Sequence, residues 1–133
     1  MSAGTAVLTS VSDDRAFEAA HKPVWKRRIT ATFVAADTAA AAVVVPVNGV
    51  ITAIVVSNPA NTNSVTATTT LTDDLSGVLK TTSAVAAGAV LVLAAPSADF
   101  AELPVSGNIT VSVAISGAPG LNGLATIVEL RGL

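Results

Sequence analysis

The side chains that catalyse reactions or hold metals are sparse in this chain. It contains no cysteine and no tyrosine, and His21 is its only histidine. Neither an imidazole cluster nor a thiolate site is available to a metal ion. His21 falls at the end of a predicted short helix, just before Pro23, where an imidazolium suits the helix dipole rather than catalysis. Asp73-Asp74, ahead of Leu75-Ser76-Gly77, offers oxygens of the kind calcium prefers. That run has no regular ligand spacing and no closing bidentate glutamate, so it reads as an acidic turn. Asp99 and Glu102 flank Phe100, and in an extended chain they point to opposite faces, unlike a paired-carboxylate acid–base site. The glycine-rich stretch Gly117–Gly123 lacks the lysine and the following serine or threonine of a phosphate loop, and no helical pattern follows it. The sequence therefore predicts no catalytic residue, no metal, no cofactor and no small-molecule substrate.

One constellation is left. Trp25 precedes the basic triplet Lys26-Arg27-Arg28, an indole beside three cations. Nucleic acid recruits such groups through stacking and phosphate neutralisation. Three adjacent charges make too small a footprint for that, and the body behind them is acidic: residues 1–28 carry a net +2 and residues 29–133 a net −4. Trp25, Lys26, Arg27 and Arg28 are predicted instead to anchor a protein partner, with positive groups around the indole.

The elements that must position these residues are written in the composition. Alanine, valine and threonine supply 26, 20 and 16 of the 133 residues. Valine and threonine are β-branched and suit a pleated, half-buried surface. Charged residues make up only 12% of the chain, about half the usual share. So few charges leave much apolar surface for other chains to cover. The hydrophobic period is two. Ile29, Ala31 and Phe33 alternate with Arg28, Thr30 and Thr32; Val65, Ala67, Thr69 and Leu71 alternate with threonines; Ile109, Val111, Val113 and Ile115 alternate with small or polar residues. Each reads as a half-buried strand. Residues 43–47, 50–56 and 90–93 are apolar on both faces, which predicts central strands or strands set against a neighbouring subunit.

Turn chemistry divides the chain further. Asn48-Gly49 is the strongest hairpin signal, and Asn58-Pro59-Ala60-Asn61, Asp73-Asp74, Ala95-Pro96-Ser97 and Ser106-Gly107-Asn108 mark other reversals. The predicted strands are 28–35, 40–47, 50–57, 64–72, 77–82, 89–94, 98–102, 108–116 and 124–131. Without a helical period between them, they indicate an all-β fold, an antiparallel sandwich or barrel. Residues 1–28 differ and are predicted to form an extended N-terminal arm, with Ser12 capping a short helix over Asp13–His21. The arm, through residue 26, is expected to be dispensable for folding and needed for attachment. No signal peptide is expected. The apolar stretch 39–56 is broken by Pro46 and Asn48-Gly49 and reads as two strands rather than a membrane span. Without a secretion signal, the sequon Asn108-Ile109-Thr110 is given no weight.

Over residues 27–133 the order of features resembles a family of small virion structural proteins of tailed bacteriophages, encoded among the head genes. The resemblance rests on Arg27-Arg28-Ile29-Thr30-Ala31-Thr32, the valine-rich segment ending Val-Pro-Val-Asn-Gly, Val50–Val56, the threonine-alternating Val65–Thr72 with its acidic turn, Pro104–Val113 and the final Ala125–Leu130. It implies a jelly-roll-like β-sandwich over residues 29–133 that decorates or cements a capsid as a homotrimer. The partners it implies are the major capsid protein and other copies of the chain, with no nucleic acid and no membrane. It implies a place on the capsid surface of the virion after synthesis in the host cytoplasm, and no enzymatic activity. A tail- or fibre-associated module recognising a receptor or glycan is the alternative, disfavoured by the shortage of aromatic residues.

Overall fold

The computed structural model describes residues 2–14 and 24–133. Ten strands account for its regular structure: β1 (Ser2–Ala3), β2 (Thr5–Asp14), β3 (Val24–Phe33), β4 (Asp37–Ala39), β5 (Ala41–Asn58), β6 (Ala67–Thr72), β7 (Val78–Thr81), β8 (Ala89–Ala94), β9 (Leu103–Ile115) and β10 (Leu124–Gly132). There is no helix among the described residues. β1 and β4 form a small parallel pair. The other eight form one antiparallel sheet in the order β2-β3-β10-β5-β9-β6-β7, with β8 also paired to β5, and the sheet curls into a half-barrel.

The alternating segments behave as their period requires. Ile29, Ala31 and Phe33 of β3, Ala67, Thr69 and Leu71 of β6, and Ile109, Val111 and Val113 of β9 turn inward and are buried. They meet Ile51, Ile54 and Val56 of β5, Val128 and Leu130 of β10, and two larger side chains, Trp25 and Phe100, in one core. The strands apolar on both faces divide between two settings. β5 is central, with β10 on one edge and β9 then β8 on the other. Among the described residues β8 pairs only with β5, and its outward Val90 and Val92 stay 60% exposed.

The predicted hairpin at Asn48-Gly49 does not form. The chain continues through it as one 18-residue strand, β5. Gly49 has a φ of +135°, which bends the strand without reversing it. The predicted reversal Ser106-Gly107-Asn108 is likewise inside β9, and the two motifs lie opposite each other, with Asn48 paired to Ser106 and Gly49 to Val105. The Asn48 carboxamide oxygen accepts a hydrogen bond from Gly107 N at 3.0 Å. Both turn signals are thus spent on a shared bend in a continuous ladder. Three residues on, the register skips Thr52, because Ala53 pairs with Arg131 and Ile51 with Gly132. This bulge changes which parity faces the core: Ala41, Val45, Val47 and Ile51 are buried before it, and Ile54, Val56 and Asn58 after it. One inserted residue flips every later side chain.

Two other expectations need correction. Residues 98–102 form no strand: Ser97 N donates to Phe100 O, and Phe100 N donates to Ser97 Oγ, closing a turn that drops Phe100 into the core. Thr5–Asp14 is no arm, because it pairs along β3 from Thr5–Thr32 to Asp14–Val24. Asp13 and Asp14 end that strand, so no helix starts at Ser12; the rest of the predicted helix, with His21, lies outside the described residues.

Gly49 and Gly132 meet at the lone tryptophan. A Cβ on Gly49 would sit 2.3 Å from the Leu133 carbonyl oxygen, and one on Gly132 would sit 2.0 Å from the Val50 carbonyl oxygen. Gly49→Val combines that clash with a strained φ and should cost about 1–3 kcal/mol, read as a lower midpoint in chemical denaturation. A variant starting at Lys26 loses β2 and the buried indole together. Its melting temperature should fall well below that of the full chain, against the expectation that the first 26 residues are dispensable for folding.

Candidate interaction surface

In a strand, neighbouring residues point to opposite faces, and this splits the Trp25–Arg28 constellation in two. Trp25 faces inward, is 7% exposed, and donates Nε1 to the Leu133 carbonyl oxygen at 3.0 Å. It is a core residue and not an exposed anchor. Arg27 shares its side of the strand. The guanidinium carbon lies 5.5 Å from the indole centroid, and Nε donates to the Pro46 carbonyl at 3.3 Å. Arg27 thus covers the tryptophan through a cation–π contact.

Lys26 and Arg28 point outward, where β10 supplies two residues the sequence reading did not single out. Arg28 lies opposite Glu129 and Lys26 opposite Arg131. Arg28 donates Nε and one terminal nitrogen to Glu129 Oε1 at 3.1 and 2.8 Å. Arg131 donates Nε to Oε2 at 2.6 Å, with a terminal nitrogen of the same group 2.5 Å away. Lys26 Nζ stands 4.0 Å from Oε1. Glu129 is buried beneath its partners, while the Lys26, Arg28 and Arg131 side chains remain 37%, 45% and 52% exposed. Burial pushes the Glu129 carboxyl upward, but the hydrogen bonds and charges of Arg28 and Arg131 outweigh it and hold the group below its ordinary value. Three cations around one carboxylate leave a net positive surface. The alternation of Glu129 and Arg131 about Leu130, matching that of Lys26 and Arg28, was the available signal; the register between β3 and β10 was not.

The same outward face continues across β5 and β8. Glu129 is followed laterally by Val55 and Val92, Arg131 by Ala53 and Ala94, and Ile127 by Ser57 and Val90. One half of this face is basic and the other half is small and aliphatic.

The remaining candidates have structural roles. Asp73 Oδ1 accepts from Leu75 N at 2.9 Å and Gly77 N at 2.7 Å, so it holds the β6–β7 turn together. Asp99 and Glu102 are exposed on either side of buried Phe100. Segment 117–123 is stitched to its neighbours: Asn63 N donates to Pro119 O, Thr62 Oγ1 to Leu121 O, and Gly120 N to Ala35 O. Hollows of about 390 and 310 Å³ flank it, sharing Asn122 to Ala125 as lining. Asn58, fully buried, donates to the carbonyls of Val65 and Val85 and accepts from Thr126 Oγ1, tying β5 to β10 and two loops. No cluster of three or more potential metal-ligating side chains occurs among the described residues. Among the described residues no helix is long and apolar enough to cross a membrane. Compared with protein-family models, curated proteins and solved structures, the chain matches none.

Because the folded-state pKa of Glu129 lies below its unfolded value, its stabilisation is complete above the ordinary carboxylate range and is lost as pH falls through the folded value. Glu129→Gln should destabilise the protein by about 1–3 kcal/mol near neutral pH. The gap from the wild type should narrow in denaturation curves taken below about pH 4.

Proposed function

We propose that this protein is a structural virion subunit of a tailed bacteriophage, a cement or decoration protein that self-associates and stabilises the head shell. The observation that carries this reading is the outward face of β3-β10-β5-β8, basic on one half and bare aliphatic on the other, with no ligand-holding cluster among the described residues. An exposed outer sheet face of this kind suits contact with another protein surface rather than with a small molecule. The curled antiparallel sheet around one core is consistent with the finer expectation of a jelly-roll-like sandwich. In this reading the partners are the major capsid protein and further copies of the chain, most simply a homotrimer, on the capsid surface. Binding adds buried area across capsomer boundaries, and the shell gains stability by mass action.

The alternative, a tail or fibre module for a receptor or glycan, has less support. Trp25, Phe33 and Phe100 are all buried, so no aromatic platform for a sugar is exposed among the described residues.

Added to heads that lack it, the protein should co-sediment at a fixed ratio and raise their thermal disruption temperature. Heads that neither bind it nor gain stability would rule the reading out. In sizing and light scattering the free protein should be an oligomer indifferent to reducing agent.

A further inference from the structure

The outward basic–aliphatic face has a chemical counterpart elsewhere on the same chain. At the β6–β7 turn, Asp73 is spent on the backbone amides of Leu75 and Gly77, whereas Asp74 is exposed with no partner among the described residues. Beside it, Leu75 is 88% exposed, the largest value among the exposed large hydrophobics, and Val78 is 64% exposed. This tip therefore presents one carboxylate next to two aliphatic side chains. The face presents Lys26, Arg28 and Arg131 next to Val55, Val90 and Val92, with one carboxylate already neutralised in its centre. The two patches do not satisfy each other within one chain. In the sheet, β9 and β5 separate β6 from β10, and no ion pair links Asp74 to these cations.

We propose that the Asp74–Val78 tip of one copy docks on the β3-β10-β5-β8 face of the next, Asp74 against the basic half and Leu75 and Val78 against the valines. The occupant is a second copy because both halves of the complementarity, in charge and in apolar exposure, are present on this chain. Each copy then offers a tip and a face at different places. Such a contact is head-to-tail, and it closes into a ring where the rotation per copy permits. The inference rests on the self-association proposed above and specifies its contacts. Salt bridges at the rim of such an interface act chiefly on encounter and specificity, and the buried leucine on residence time.

Sedimentation equilibrium of the full chain and four variants tests it. Asp74→Lys and Lys26→Glu should each weaken self-association at least about tenfold, and the two together should recover most of that loss, because the charges are exchanged across the contact. Leu75→Ser, on an exposed tip, should weaken it to a similar extent with circular dichroism and tryptophan emission unchanged. Raising salt from about 0.1 M to about 1 M should weaken the wild type but not Asp74→Lys, since the Debye length shortens from about 10 Å to about 3 Å. A monomeric wild type, a Leu75→Ser variant that assembles like the wild type, or a double variant no better than the singles would overturn the inference. Head binding measured in parallel separates the two readings. Heads bound by an oligomer indifferent to Leu75→Ser leave the cement reading standing and remove this interface. An oligomer that responds as described but ignores heads keeps the interface and removes the cement reading.

Discussion

The molecule depends on a single strand that must serve two sets of partners. β5 runs beside β9 for its first eleven residues and beside β10 and β8 for most of the rest. A straight, regular strand cannot do this and keep its apolar side chains inside a curled sheet. The bend at Gly49 redirects the backbone, and the bulge at Thr52 exchanges the buried parity. The crowded contacts of Gly49 and Gly132 with Leu133, Val50 and Trp25 follow from that geometry. The largest side chain of the core thus sits where the strand turns, with its one polar atom satisfied by the Leu133 carbonyl. Pro46 also fits there: its carbonyl is covered by Arg27, and the missing amide hydrogen is tolerable where β9 is the strand's only partner among the described residues.

Against so apolar a background, the clustering of charge is informative. Removing Glu129 would leave Lys26, Arg28 and Arg131 facing one another, so the carboxylate holds together groups that would otherwise repel. An ion pair this close to solvent contributes modestly as a single contact, and its weight here comes from the network. The network also fixes the register between β3 and β10, since a one-residue slip would turn Glu129 into the core and Leu130 out to water. Electrostatics and hydrophobic burial therefore specify the same alignment.

How far the sequence could be read depended on whether the deciding interaction was local. Alternation located Ile29–Phe33, Val65–Leu71 and Ile109–Val113 on the correct faces, because period two is a property of the strand alone. β8 was placed at 89–94 as observed. Asn48-Gly49 misled because the same torsional freedom that makes a hairpin also makes a bend, and the choice lies with β9, more than fifty residues away. β2 was missed because Thr5–Asp14 has few large apolar residues, and its place at the sheet edge is set by β3. Of the basic constellation, Lys26 and Arg28 were brought to the surface, but Trp25 was not. Strand parity already separates residue 25 from 26. The identity of the outward partners, Glu129 and Arg131, required knowing that the last strand inserts beside the third.

That insertion bears on how the protein reaches its native state. β3 and β5 are close in sequence, yet β10 lies between them in the sheet. The two earlier strands cannot form a lasting hairpin with each other; each must keep one edge open until a segment some seventy residues further on is made and threads in. The half-barrel is thus assembled by non-local closure, which favours slow folding. During the delay two open edges, the valine-rich one of β5 and that of β3, are available for wrong pairings. The cations on β3 sit on one of those waiting strands, and their mutual repulsion discourages premature stacking of like chains until Glu129 arrives to neutralise them.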